Sequence, residues 1–393
     1  MLAPAFVLAS ALSPQVPAFA APVRFAADGA TIVVPAPGYA SPCWHDFDGD
    51  GHGDLVVGAA GSGTFSLYRG DAAGKLTAAG KWQVAGGDLV CGTLAPGAAG
   101  VAPTVQFVDV DADGRVDAVC GCWQVEAGLQ GGMLLVPRLG TGAFGVPTVL
   151  AGADGKPLRP SVAGPAGQPC ITQTLGLRPA VADLDGDGRL DLLAGTASGL
   201  VAWFRGAGPG QFATTSEWLR ATTELLEVPG GSDPCLCDYD RDGDLDLFSG
   251  STAGGVFLFR NVGSATAPRF AMRQWLVEPP RQQAVEWPAK KAADQVFDRP
   301  GTDTRVWVAD VDGNGTVDLL VGDRYERMVL APGANAGTAR SRVEALDRKL
   351  GEVERDRKLD AKAKAEQLDA LRADRARIVT TDTGGFVWWY RGK

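Results

Sequence analysis

The chain has 393 residues, a length that ordinarily suggests two or three domains but that a closed ring of β-sheets can absorb as one. Its 53 glycines and 25 prolines without low complexity fit many tight turns and argue against disorder. The net charge of −9 offers no basic face, which argues against nucleic acid as a partner.

Residues 1–20 are uncharged, hold an apolar run from Leu2 to Leu12 and end in Ala18-Phe-Ala20 before Ala21. This reads as a secretory signal peptide lacking its basic start. No other stretch is long and apolar enough to span a bilayer. The expected location is therefore secreted, periplasmic or cell-surface, with a single domain over 21–393, no transmembrane segment and a monomeric state. Next comes Val23-Arg-Phe-Ala-Ala-Asp-Gly-Ala-Thr-Ile-Val-Val-Pro35, a strand-like stretch with no acidic motif of its own.

An aspartate ladder then recurs five times, at 46–54, 109–117, 183–191, 238–246 and 310–318. Oxygen-bearing side chains stand at relative positions one, three, five and nine. They are Asp46, Asp48, Asp50 and Asp54; Asp109, Asp111, Asp113 and Asp117; Asp183, Asp185, Asp187 and Asp191; Asp238, Asp240, Asp242 and Asp246; and Asp310, Asp312, Asn314 and Asp318. Position six is always glycine: Gly51, Gly114, Gly188, Gly243 and Gly315. Carboxylates so spaced converge on a hard cation, the glycine permits the sharp turn, and position seven offers its backbone carbonyl. Position seven is His52, Arg115, Arg189, Asp244 and Thr316. Up to five Ca²⁺ ions are expected. Five divalent ions would move the net charge from −9 to +1, so the acidity belongs to the metal sites and not to a basic ligand.

Each ladder runs into an apolar segment ending in glycine, such as Asp54-Leu-Val-Val-Gly58 or Asp191-Leu-Leu-Ala-Gly195. A second glycine-started run follows, such as Gly63-Thr-Phe-Ser-Leu-Tyr-Arg69 or Gly199-Leu-Val-Ala-Trp-Phe-Arg205. The fifth, Gly385-Phe-Val-Trp-Trp-Tyr-Arg391, is displaced to the C-terminus. Short β-branched and aromatic runs punctuated by glycine are strands joined by tight turns, and a repeat of about 60 residues with four of them matches a propeller blade.

The Asp-x-Asp-Gly-Asp-Gly-x-x-Asp-Leu core followed by Val-Gly-Ala resembles the FG-GAP/VCBS repeat of integrin-type β-propellers, and the chain is similar to bacterial secreted VCBS-repeat proteins. The resemblance covers nearly everything from about residue 23 to Lys393. It implies an all-β propeller with the ladder between the first two strands of each blade, bound calcium, and roles that range from adhesion to enzyme appendages. The expected fold is five-bladed, with the N-terminal strand supplying the outer strand that blade five lacks. Six or seven blades, with ladder-less copies in 140–180 or 270–303, is the alternative.

Within blade five, 340–377 breaks the pattern. It holds many charges, no proline, and apolar residues at helical spacing (Val343, Leu346, Leu350 and Val353, then Leu359, Leu368 and Leu371). The segment predicts a helical hairpin inserted between the second and third strands, most simply a solvated one.

Seven cysteines (43, 91, 120, 122, 170, 235 and 237) allow up to three disulfides. Cys120-x-Cys122 and Cys235-x-Cys237 each place two thiols on one strand face, too rigidly to bond each other, so cross-blade partners are expected. Their spacing and the presence of only two histidines argue against zinc.

Neither His45 nor His52 has a nucleophile beside it in sequence, and no catalytic residue is assigned. Lys290-Lys291 and Arg324-Tyr325 are nominal bases only. Trp203, Trp388 and Trp389 read as packing between blades, and Trp123, Trp275 and Trp287 as surface candidates for sugar stacking. The expected function is a non-enzymatic scaffold for an extracellular protein or glycan. The alternative is an extracellular polysaccharide lyase or hydrolase, or a module attached to one.

Overall fold

The structure, a computed structural model, describes residues 19–91, 103–126, 129–160, 176–279 and 298–393, without the side chains of 123–126 and 129–131. Residues 1–18 of the expected signal peptide, Cys170, Trp287, Lys290, Lys291 and the Trp123 side chain lie outside the described residues.

Five four-stranded antiparallel blades form the ring. Blade one runs outward through Ala40–His45, Asp54–Ala59, Thr64–Gly70 and Leu76–Lys81. Blade two uses Thr104–Val108, Asp117–Glu126, Leu129–Val136 and Thr148–Val149. Blade three uses Arg178–Ala182, Asp191–Gly195, Val201–Phe204 and Glu217–Trp218, and blade four Ser232–Cys237, Asp246–Ser251, Val256–Phe259 and Gln274–Val277. Blade five takes Thr302–Ala309, Asp318–Leu330 and Val379–Tyr390, and its outer strand is Val23–Arg24, paired as Val23 with Trp389 and Arg24 with Trp388. The N-terminal stretch also bonds across the seam, since Ala27 pairs with Leu76 of blade one. The closure expected from the sequence is the one observed.

Second strands explain their own composition. Leu192 joins the core between blades two and three, while its neighbour Leu193 joins the core between blades three and four. Leu55 and Val56, and Leu319 and Leu320, divide in the same way. A strand buried on both faces reads as a continuous apolar run, not an alternating one. Trp388 and Trp389 follow the rule, the first packing toward blade four and the second toward blade one.

The glycine ending each run has a different cause. A Cβ on Gly58, Gly121, Gly195, Gly250 or Gly322 would lie 1.9, 2.2, 2.6, 2.3 or 2.1 Å from the carbonyl oxygen of Pro103, Leu177, Ser232, Thr304 or Ala40. Each of those carbonyls belongs to the start of the next blade's inner strand or the residue just before it, and the last returns to blade one. Five close approaches thus close a five-membered ring, and only glycine fits them.

The inserted hairpin is α1 (Ala336–Arg355) and α2 (Ala361–Ala376), carried on an extended strand pair that stays in register from Leu319–Tyr390 to Leu330–Val379. The first helix begins four residues before the position expected from sequence. Asn335 caps it by accepting the Gly337 N–H at 2.9 Å, and Asp360 caps the second by accepting from Lys362 and Ala363. Ala339 and Val343 pack on Ile378 and Val379, whereas α2 has no buried residue.

Candidate metal centres

Each ladder lies between a blade's first and second strands, and the same hydrogen bonds shape all five. The position-one carboxylate accepts the backbone N–H of positions five and six: Asp46 from Asp50 and Gly51, Asp109 from Asp113 and Gly114, Asp183 from Asp187 and Gly188. Asp238 and Asp310 repeat this with Asp242 and Gly243 and with Asn314 and Gly315. The position-five oxygen accepts the N–H of position seven in every copy, including His52 on Asp50 and Thr316 on Asn314. The position-six glycines have φ of +87°, +84°, +84°, +92° and +80°, the left-handed region that turns the chain at little cost.

Position nine is a tie between strands. Asp54, Asp117, Asp191, Asp246 and Asp318 are buried. One oxygen of each accepts a backbone N–H at the end of the blade's third strand: Gly70 (2.8 Å), Arg138 (2.8 Å), Gly206 (2.6 Å), Asn261 (2.7 Å) and Gly392 (2.7 Å). In blades one, two, three and five the other oxygen accepts the N–H of position two. This clamp was not apparent from the ladder spacing, which suggested only that position nine completes an ion's shell.

Carboxylate oxygens converge within 4.8 Å of one another in each blade, but the members differ. Blades one and four bring together positions one, three and five (Asp46, Asp48 and Asp50; Asp238, Asp240 and Asp242). Blades two, three and five bring together positions one, three and nine (Asp109, Asp111 and Asp117; Asp183, Asp185 and Asp191; Asp310, Asp312 and Asp318). The difference follows the arginines: in blades two and three Arg115 and Arg189 fold back onto the position-five Asp113 and Asp187, whereas in blades one and four Arg69 and Arg260 pair with the position-nine Asp54 and Asp246. In blade five, position five is the amide of Asn314, held by the Thr316 backbone and hydroxyl.

Hard oxygen donors at this separation suit a cation bound at 2.3–2.6 Å, because ligands on opposite sides of it stand about 5 Å apart. Three buried ladder oxygens, Asp185 Oδ1, Asp244 Oδ1 and Asp246 Oδ2, have no hydrogen-bond partner. Burial pushes Asp246 up to about 6 and raises Asp117, Asp191 and Asp244, with neighbouring ladder carboxylates adding to each. A cation would relieve both the orphaned oxygens and the crowding of charge. The residues present fit it.

Sequence reasoning did not single out the arginine ending the third strand. Arg69 pairs with Asp48 (3.0 Å) and Asp54 (2.7 Å), Arg205 with Asp185, Arg260 with Asp240, and Arg391 with Asp312 (3.8 Å). In blade two the equivalent Arg138 bonds the Phe47 carbonyl of blade one instead. The signal was an arginine at the same place in every third strand.

The FG-GAP-like repeat family matches residues 46–120 and 183–249, which span the ladders of blades one to four up to the edge of the unmatched stretches. The chain carries FG-GAP-like repeats. No curated protein matches it. Among solved structures it is similar to a Tc holotoxin pore of Photorhabdus luminescens, at 16% identity and TM-score 0.31, over 74% of this chain and 13% of that one. A glycoside hydrolase family 43 arabinoxylan arabinofuranohydrolase from Bacillus subtilis is 13% identical, with TM-score 0.38, over 72% of this chain and 58% of that one. BBS1N in complex with ARL6DN is 13% identical, with TM-score 0.30, over 77% and 80%.

Other candidate residues of this FG-GAP-repeat propeller are taken up in packing. His45 stacks on Phe107 at 4.7 Å, and burial lowers its pKa. Tyr325 stacks on Phe386, and Arg324 pairs with Glu326 and bonds the Pro37 carbonyl. Trp203 and Trp388 are buried, whereas Trp275 is 46% exposed and lies against Phe257. No helix among the described residues is long and apolar enough to cross a membrane.

Proposed function

We propose that the chain is an exported propeller stabilised by up to five Ca²⁺ ions, serving as a non-enzymatic scaffold that presents one face to an extracellular protein or glycan. The observation that carries the metal reading is the fivefold repetition of one loop geometry around converging carboxylates. Asp46, Asp109, Asp183, Asp238 and Asp310 would anchor the ions with their position-three partners. Position five or nine and the position-seven carbonyl would complete each shell.

The scaffold reading rests on the buried acids outside the ladders. Asp323, the most perturbed, is buried, and its oxygens accept from Phe386 N–H (2.7 Å), Gly301 N–H (2.7 Å) and Trp388 Nε1 (2.9 Å). An acid so occupied ties strands together and has no free position from which to deliver a proton. Asp233 accepts the Val306 N–H at 2.9 Å with one oxygen and lies near the Arg305 and Arg178 guanidinium groups. A cavity of about 20 Å³ is lined by all five inner strands, including Ser41, Gln106, Pro179, Asp233 and Trp307, and cannot hold a sugar residue.

The experiment is a binding and turnover screen of the calcium-loaded chain against extracellular polysaccharides and proteins. Saturable binding without release of reducing or unsaturated ends supports a scaffold. Turnover that survives mutation of the ladders would replace this reading with the polysaccharide-active one.

A further inference from the structure

Three of the cysteines form a group that the metal loops leave unexplained. Cys91 follows blade one, with its backbone N–H fixed to the Gly63 carbonyl at 2.8 Å. Cys120 and Cys122 lie on the second strand of blade two, paired with Leu134 and Gly132. All three are at most 3% exposed and share the core between blades one and two. Residues two apart on a strand face the same side about 6.6 Å apart, and Cys91, a free thiol like the other two, packs in the same core close enough to interact with both. Cys43 shares this core and approaches Cys120 from blade one.

We propose that Cys91 is the centre of a disulfide site that staples blade one to blade two, its partner being either Cys120 or Cys122. Because all three are buried in the folded chain, the exchange runs while the core between the two blades is still open. The Cys91 thiolate attacks the S–S bond of a small disulfide oxidant such as glutathione disulfide and expels one thiolate. Cys120 or Cys122 then loses its proton and attacks the mixed disulfide at the Cys91 sulfur, releasing the second oxidant thiol. Two protein thiols lose two electrons and two protons, and one oxidant disulfide becomes two thiols. The cysteine left over lies next to the new bond and can exchange into it, so the staple has two interchangeable forms. The site is independent of the metal reading.

Tryptic mapping tests this on the full chain refolded in a glutathione redox buffer and alkylated without reduction. Cleavage after Lys81, Arg115 and Arg138 isolates Cys91 in 82–115 and places Cys120 and Cys122 in 116–138. The expected result is a linked pair of these two peptides, lighter than their sum by two hydrogens and separated by reductant. Cys120→Ser should retain the link through Cys122, and Cys122→Ser through Cys120. Cys91→Ser should abolish it and remove the fall in melting temperature that reductant causes in the unmutated chain. Full alkylation of Cys91 in the folded, oxidised chain would overturn the proposal. So would its linkage to Cys43, or a retained thiophilic metal with no linked peptide.

Discussion

A Cβ on Gly322 would lie 2.1 Å from the carbonyl oxygen of Ala40, so blade five meets blade one where only glycine fits. Gly322→Ala must push the two inner faces of the ring apart at its seam. The expected cost is about 1–3 kcal/mol, the usual range for overpacking a tight core. Gly140→Ala, where nothing stands within 4 Å, should be near neutral in the same urea titration. Equal losses would mean that the seam yields freely.

The position-nine clamp predicts an order among substitutions. Asp191→Ala leaves the Gly206 and Leu184 N–H groups without their acceptor and should cost about 2–6 kcal/mol in EGTA, from roughly 1–3 kcal/mol per orphaned group. Asp191→Asn keeps one acceptor oxygen and should cost less. Urea unfolding of both variants without metal checks this, because the clamp acts whether or not an ion is bound.

Among the ladders, site five has Asn314 in place of a carboxylate and should bind calcium most weakly. In calcium, Asp312→Ala should therefore lower stability less than Asp185→Ala does in site three. An equal or larger loss in site five, read as the melting temperature of each variant, would contradict the ranking by charge.

Burial pushes Asp323 up to about 6, above its unfolded value of 3.8. The folded state then holds the proton more tightly than the unfolded state does. Its ionisation opposes folding above pH 6, and that penalty lifts as pH falls through 6 toward 4. Asp323→Asn has no such titration. Without metal, the unmutated chain should gain stability relative to this variant between pH 7.5 and 5. The paired urea midpoints across that window are the measurement, and a constant difference would refute it.

The helical hairpin should be separable from the ring. Replacing 331–378 with Asn-Gly joins Leu330 to Val379, which already face each other, by a two-residue turn suited to antiparallel strands. Calcium stoichiometry should be unchanged, and the melting temperature should fall only by what losing the small Ala339, Val343 and Ile378 cluster costs, since α2 buries nothing. Loss of a binding partner in this variant would assign the hairpin to recognition.

Much of this architecture is visible in the chain because it is local. The position-six glycines, the carboxylate spacing and the runs such as Asp191-Leu-Leu-Ala-Gly195 concern residues close in sequence, so their pattern carries their cause. The blade-closing role of Val23–Arg24 is also legible, because blade five ends without an outer strand. What sequence spacing did not show depends on contacts between distant residues. The Gly322–Ala40 approach, the Asp54–Gly70 tie and the Arg69–Asp48 pair each join segments that meet only once the blades are stacked. Arg115 and Arg189 show the same limit from the other side. They occupy a position expected to offer only a carbonyl, yet their side chains pair with the position-five carboxylates Asp113 and Asp187.

The central claim, that the ladders are structural calcium sites, is tested most directly by thermal unfolding of the folded chain in excess EGTA and then in millimolar Ca²⁺, with a calorimetric count of bound ions. Binding to the folded loop alone stabilises by roughly 2.7 kcal/mol per site at a hundredfold excess over Kd. Five converging clusters predict about five bound ions and a rise of many degrees. No rise, or only one or two ions bound, would mean that most ladders are empty acidic turns held by their own hydrogen bonds.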